Sequence, residues 1–332
     1  MSLRGRMLAL VLIAAVIVGA AGAYLAWSAS LASSGSKGTA PREVAVSRVE
    51  GRPHIVFRNT APGRNYGRIG MVTIADPRGP RAITRTTCDR VDVSAGTTLC
   101  LRAQAGITSA YSVIARREGD APLLDVARPG ILSRARLSPE GTLAATTAFV
   151  AGDSYTSAGF STRTYVTALA AGRELHLEDF ELVHEGEPIR PIERNYWGVT
   201  FVDEDAFYVT VSFGGDTWLA RGSVRTERIQ TLRKTAECPS VSPDHDRVAY
   251  KKREGAGWRI AVLDLESGRE KVLPGRRSVD DQVAWLDDDT LLYSLPRTGA
   301  RAGESDVWSA AADGSSEPRL FIEQASSPAV VG

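Results

Sequence analysis

A recurrence constrains this chain more than any other feature. A short apolar strand, a Ser or Asp, an acidic or Gly turn and a second strand return along the sequence at near-constant spacing. The unit reads Val91-Asp92-Val93-Ser94-Ala95-Gly96-Thr97-Thr98-Leu99, then Leu137-Ser138-Pro139-Glu140-Gly141-Thr142-Leu143, then Phe201-Val202-Asp203-Glu204-Asp205-Ala206-Phe207. It continues as Val241-Ser242-Pro243-Asp244-His245-Asp246-Arg247-Val248 and Trp285-Leu286-Asp287-Asp288-Asp289-Thr290-Leu291. A looser first copy holds Val46-Ser47, Glu50-Gly51 and Ile55-Val56-Phe57. Ser-Pro-Asp and Ser-Pro-Glu suit tight turns, because Pro presets φ and Asp or Gly tolerates the tight positions.

A second pattern follows each copy: an alternating strand, a turn and a short strand. It is clearest in Arg259 to Gly268, closed by Lys271-Val272-Leu273. Relatives run from Met71 to Gly79, Tyr111 to Gly119, Tyr165 to Gly172, Trp218 to Val224 and Val307 to Gly314. Each unit therefore holds four short strands. The anchors Ser47, Ser94, Ser138, Asp203, Ser242 and Asp287 lie mostly about 40–47 residues apart, the blade period of a propeller. The interval from Ser138 to Asp203 is longer, and its excess falls in Arg173–Arg194, where Phe180–Pro191 reads as an added hairpin around Glu185-Gly186. Six units of four strands predict an all-β, six-bladed β-propeller of four-stranded blades. A helical solenoid is excluded, since Gly and Pro punctuate the chain about every ten residues and the apolar period is two. Near the end, Ser327-Pro328-Ala329-Val330-Val331 resembles Cys238-Pro239-Ser240-Val241, the start of a blade. A leftover first strand there would pair into the N-terminal blade and remove its open edge. Either Glu43–Ser47 or Pro328–Val331 then forms the inner strand of that blade.

In the fifth unit, Cys238-Pro239-Ser240-Val241-Ser242-Pro243-Asp244 is followed by Val248-Ala249-Tyr250 and Ile260-Ala261-Val262-Leu263-Asp264. This resembles the TolB-type β-propeller repeat, roughly P-x-x-S-P-D-G, I-A-Y, then I-Y-V-x-D-x-x-x-G. His245-Asp246 stands where that repeat has Gly, so the turn is one residue longer. The match is strong in the fifth unit, fair in the third and sixth, and weak elsewhere. The whole chain is similar to the single-span, extracytoplasmic TolB-like translocation proteins of Gram-positive actinobacteria. The resemblance implies the fold and a role in extracytoplasmic protein interaction, and it implies no activity.

The N-terminus sets the expected compartment. Arg4 and Arg6 precede Met7 to Trp27, a run without a charge. As a helix it would span roughly 30 Å, at about 1.5 Å per residue. Arginines before it and few positive residues after it predict a transmembrane signal-anchor over residues 7–27, with the N-terminus cytoplasmic. The protein is then a single-pass protein of the cell membrane with residues 40–332 extracytoplasmic. Cleavage after Ala21-Gly22-Ala23 would make it secreted instead. Residues 28–42, rich in Ser, Ala and Gly, read as a flexible tether to a propeller over 43–332. The chain is 43% hydrophobic with a net charge of +1, which excludes a disordered tail and a strongly basic nucleic-acid binder. No nucleic-acid partner is expected.

The residues that could carry chemistry are few. Gly152-Asp153-Ser154 resembles the first block of SGNH-type hydrolases, which also need a His, usually in Asp-x-x-His. His54, His176, His184 and His245 are preceded at that spacing by Gly51, Arg173, Glu181 and Ser242. Without a base the Ser154 hydroxyl stays unactivated. Cys88 and Cys100 stand twelve apart on expected neighbouring strands, and outside the cytoplasm an oxidised pair is the expected state, with two buried free thiols the alternative. Cys238 reads as a small core residue. Asp203-Glu204-Asp205 and Asp287-Asp288-Asp289 occupy turns of the repeat and lack a complete calcium spacing. The histidines are isolated. No metal site, cofactor or catalytic residue is predicted.

Propeller geometry sorts the remaining candidates. First strands line the channel and strands alternate direction, so loops between strands two and three share a face with the connections between blades. Asp153, Ser154 and Tyr155 (in the loop Ala151–Arg163), Asn195, Tyr196 and Trp197, and Asp280, Asp281 and Gln282 are therefore expected around one mouth of the channel. Glu237 and Lys251–Arg253 should lie nearby. Aromatics beside amides and carboxylates suit a binding mouth. Packing of Tyr196 and Trp197 between blades is the alternative. The expected function is a membrane-tethered module that binds an envelope protein or cell-wall ligand. A hydrolase or lyase using the channel, and a structural envelope spacer, are the alternatives.

Overall fold

The computed structural model describes residues 41–332, apart from 107–108, 118, 120 and 151–160, together with Gly19 and Gly22. The chain divides into residues 1–40 with 298–302 and residues 41–297 with 303–332, and the second unit is the subject below. The expected span over residues 7–27 and the tether lie almost wholly outside the described residues. Among the described residues no helix is long and apolar enough to cross a membrane.

Six antiparallel meanders form six sheets. Blade 2 runs from its inner to its outer strand as Arg90–Ser94, Thr97–Gln104, Ala110–Arg117 and Leu124–Pro129. Blade 3 follows with Ile131–Leu137, Leu143–Val150, Ser161–Ala168 and Arg173–His176. Blade 5 is Glu237–Val241, Arg247–Glu254, Gly257–Asp264 and Glu270–Val272. Blade 6 is Ala284–Trp285, Thr290–Pro296, Ser305–Ala311 and Arg319–Ile322. The fold is thus the six-bladed, four-stranded propeller that the repeat spacing predicts, with additions to blades 1 and 4.

In blade 1 the inner strand is C-terminal. Ala325–Val331 pairs with His54–Asn59, followed outward by Arg68–Thr73 and Arg81–Thr87. The Ser327-Pro328 repeat start at the chain end is therefore what closes the ring, and no inner edge is left to recruit another chain. Glu43–Val44 is instead a fifth, outermost strand, parallel to Arg81–Thr87. In blade 4 the meander is Asn195–Phe201, Ala206–Phe213, Asp216–Ser223 and Arg228–Lys234. The inserted hairpin, Glu181–His184 with Glu187–Ile189, leaves blade 3 and joins blade 4, where Leu182 pairs in parallel with Ile229.

Period-two alternation sends one side of every strand into each neighbouring seam. Six hydrophobic clusters result, one per seam. The seam between blades 3 and 4 is the most aromatic, with Phe180, Tyr196, Phe201 and Phe207 buried. Phe207 is so tightly enclosed that a Cβ on Gly222 would lie 2.2 Å from its ring, which is why that strand position carries no side chain. The repeat turns also lock to one another. Glu204 of blade 4 accepts from the Ser138 hydroxyl at 2.8 Å and the Glu140 amide at 2.9 Å in blade 3. Asp288 of blade 6 accepts from the Asp244 amide of blade 5 at 3.0 Å. Members of both acidic runs thus tie turn to turn.

Candidate functional site

Inner strands have no solvent-facing side except the channel, so polar residues alternating within them mark its wall. Arg90 and Asp92 do this in blade 2, and Arg134 and Arg136 in blade 3. Arg136 lies 3.5 Å from Asp92 and donates to the Val283 carbonyl of blade 6 at 3.1 Å. Gln282 donates from Nε2 to the Val199 carbonyl of blade 4 at 3.0 Å and to the Pro239 carbonyl of blade 5 at 2.9 Å. Side chains therefore cross the channel, and the space beside Arg90, Arg134, Asp281 and Gln282 is only about 20 Å³. That is roughly the room one water needs, so at this level the channel is a plugged wall of charge.

Above the plug, on the face of the blade connections, lies a charged and aromatic mouth. Lys251, almost fully buried, bonds Asp280 at 2.6 Å and lies 4.0 Å from Glu237. The Trp258 indole donates to Glu237 at 2.9 Å, and Lys251 and Arg253 stack over its ring at 4.5 and 4.8 Å. Arg134 reaches Asp280 at 3.5 Å, and Arg90 reaches Asp281 at 3.6 Å. Burial works to raise the Asp280 carboxyl, but the Lys251 ammonium, with Arg134 and Arg90 beyond it, holds it below the usual aspartate value. The Arg90 guanidinium is lowered by burial and then by neighbouring Arg134. Asp92 is pushed up by burial, against the pull of Arg136. Asp281 accepts from the amides of Gln282 and Ser294 at 3.0 and 2.9 Å, which fixes the loop.

The expected residues divide into three groups. Asp280, Asp281 and Gln282 come together with Glu237 and Lys251. Asn195 and Tyr196 lie on the neighbouring inner strand and join blade 4 to blade 3. Asn195 accepts from the Thr162 amide at 2.8 Å, while the Tyr196 amide donates to the Thr162 hydroxyl at 2.9 Å. Tyr196 is fully buried in the seam and Trp197 is 7% exposed. Burial pushes the Tyr196 hydroxyl up to about 12. Gly198, at φ +68°, lets the strand bulge against blade 5, where a Cβ would meet the Cys238 Cα at 2.6 Å. Asp153, Ser154 and Tyr155 lie outside the described residues.

Sequence reasoning missed Arg90, Arg134, Arg136 and Trp258. Charges alternating with apolar residues in Arg90–Ser94 and Ile131–Leu137 were the available signal for the arginines. Among the described residues no group of three His, Cys, Asp or Glu could hold a metal ion. His184 bonds the Thr231 hydroxyl at 2.9 Å and packs on Trp218, while His176 packs on Tyr165. Cys88 and Cys100 are joined, with their Cα atoms 5.5 Å apart, and Cys238 is buried and free.

Two further concavities open at or near the opposite face. A bowl of about 370 Å³ sits at the far channel mouth, beside Ser94, Pro139, Ser242, His245 and Trp285. A cavity of about 780 Å³ lies between blades 1 and 2 and shares Val93, Ser94 and Val330 with the bowl.

No protein-family model and no curated protein matches the chain. Among solved structures it is similar to TolB from Acinetobacter baumannii, with a TM-score of 0.58 at 15% identity over 84% of this chain. It spans 66% of that protein, just under two thirds of its length. A chain of the nidogen/laminin complex matches with a TM-score of 0.55 at 13% identity, over 84% of this chain and 98% of that one. A protein from Agrobacterium tumefaciens assigned as TolB matches with a TM-score of 0.50 at 11% identity, over 82% of this chain and 89% of that one. At such identities the likeness concerns the fold, which is a TolB-like β-propeller.

Proposed function

We propose that this protein is an extracytoplasmic binding module, held at the cell membrane through residues 7–27, that receives an envelope protein or cell-wall ligand on the connection face of its propeller. The mouth built by Lys251, Trp258, Glu237 and Asp280 carries the proposal. It presents a partly exposed indole with the Arg253 guanidinium over its ring, and Trp and Arg are over-represented among the residues that dominate protein interfaces. Asp281, Gln282 and Asn195 belong to the floor and rim of that proposed face, with Trp197 almost fully buried next to Tyr196 in the same strand. The proposal extends to Asp153, Ser154 and Tyr155, which lie outside the described residues. The plugged channel favours recognition at the surface over passage or deep substrate entry.

Crosslinking on intact cells, with the full chain expressed as wild type, Trp258→Ala and Asp280→Lys, tests this. Both variants should lose the dominant crosslinked partner, by about tenfold or more for a central indole. An unchanged set of partners would remove the face. A Ser154→Ala variant assayed on ester and glycoside substrates provides the other arm, because loss of a measured hydrolysis would favour the enzymatic alternative.

A further inference from the structure

The cavity between blades 1 and 2 is a built compartment. Its walls are Val56, Ile69 and Met71 of blade 1 facing Val93, Cys100 and Ile114 of blade 2. Its volume of about 780 Å³ falls within the roughly 300–1,000 Å³ of small-molecule sites. It exists because this seam lacks a plug. The buried cluster at every other seam includes an aromatic side chain, whereas this one is built from Val, Ile, Met, Ala and a cystine. The seam is also pinned. Cys100 is bonded to Cys88, whose amide donates to the Gly67 carbonyl of blade 1 at 2.9 Å.

Two polar side chains at this compartment, Arg116 and His54, suit an anionic head group. Arg116 lines it and has no ion pair or hydrogen bond from its side chain among the described residues. His54, 6% exposed, bonds the Arg52 carbonyl through Nδ1 at 2.7 Å, which leaves Nε2 for another partner. Glu50 and the last residue, Gly332, also line it, and Glu50 already has an interaction of its own.

We propose that this cleft binds a single-chain lipophilic anion, with its hydrocarbon between the two blades and its head group at Arg116 and His54. The site lies on the opposite side of the propeller from the proposed partner mouth and does not depend on it. Both a free fatty acid and a lysophospholipid present this chemistry.

Isothermal titration of the full-length chain with octanoate, decanoate and dodecanoate, each below micelle formation, is the test. One site per chain is expected, with affinity rising about 3–4-fold for each added methylene. Dodecylammonium should bind at least about tenfold more weakly than dodecanoate, and Arg116→Glu should reverse that order. Met71→Trp and Ile114→Phe both fill the cleft and should abolish binding. Their melting transitions report whether each variant is folded, so either one suffices. A lysophosphatidylglycerol arm assigns the source, since tighter binding than dodecanoate points to a lipid and weaker binding to a free acid. Chain-length-independent binding, equal binding of dodecylammonium, or binding retained in a folded cleft-filled variant would overturn the proposal.

Discussion

Two seams of the same ring are built on opposite principles. Between blades 3 and 4, Phe180, Tyr196, Phe201 and Phe207 fill the space, and the inserted hairpin extends the outer edge of blade 4. Between blades 1 and 2, aliphatic side chains leave a cavity of about 780 Å³, and a disulfide fixes one end. The repeat thus dictates four strands and a turn, but it leaves open how each pair of sheets is joined. A seam filled with aromatic area gains stability from burial and close packing. A seam held by a covalent tie can afford empty volume.

Truncating the filled seam should produce the largest effect. Phe207 is fully buried and meets Phe180 and Phe201 edge-on, both at 6.3 Å. Phe207→Ala should destabilise the protein by about 3–5 kcal/mol, because the surrounding sheet cannot collapse into the space left. Chemical denaturation of the two proteins measures it, and a loss below about 1 kcal/mol would show that this seam is looser than its packing implies. The tied seam should respond less to sequence and more to redox state. Replacing Cys88 and Cys100 together by Ser opens a link across a separation of 12 residues, which should remove about 2–3 kcal/mol. A reducing agent should reproduce that loss in the wild type and leave the double variant unchanged.

The same contrast explains how much could be read from the sequence. Six units were legible because Ser-Pro-Asp or Asp-rich turns recur at a fixed period, and a turn is specified by adjacent residues. Ring closure was legible in Ser327-Pro328, since it repeats the Cys238-Pro239 start of blade 5. Which strand lies innermost in blade 1 was not, because Glu43–Ser47 and Pro328–Val331 are both short segments able to form a strand and only pairing across the whole chain separates them. The hairpin around Glu185-Gly186 was visible, but alternation does not say which sheet edge it joins. Its place on blade 4 follows from Leu182 packing beside Ile229. At the mouth, the segment Asp280–Gln282 was legible from its position before an inner strand. Arg134 and Arg136 were not, because an Arg in an alternating strand looks solvent-facing until the other side of that strand proves to be a channel. The empty seam was hidden most deeply, since the absence of an aromatic across two blades leaves no local mark.

The filled seam carries one polar liability, and it yields the smallest of these effects. Glu178 lies in the turn between blades 3 and 4, where both its carboxyl oxygens accept from the Thr164 amide, at 3.0 and 3.3 Å. Burial pushes its carboxyl up to about 7; the Thr164 amide opposes the rise, Asp179 adds to it and Arg163 resists it. An acid whose folded value exceeds its unfolded value favours folding most when both states are protonated. That contribution is complete below about pH 4.5, declines as the unfolded chain ionises, and is gone once the folded group also ionises near pH 7. Stability should therefore fall between about pH 4.5 and 7 by roughly 1–2 kcal/mol, after allowing for solvent screening. Glu178→Gln keeps the shape and removes the titration, so its melting temperature should exceed that of wild type at pH 7.5 and the gap should close toward pH 4.5. Parallel profiles for the two proteins would place the pH dependence elsewhere, with Asp92 next to examine because burial also raises its carboxyl.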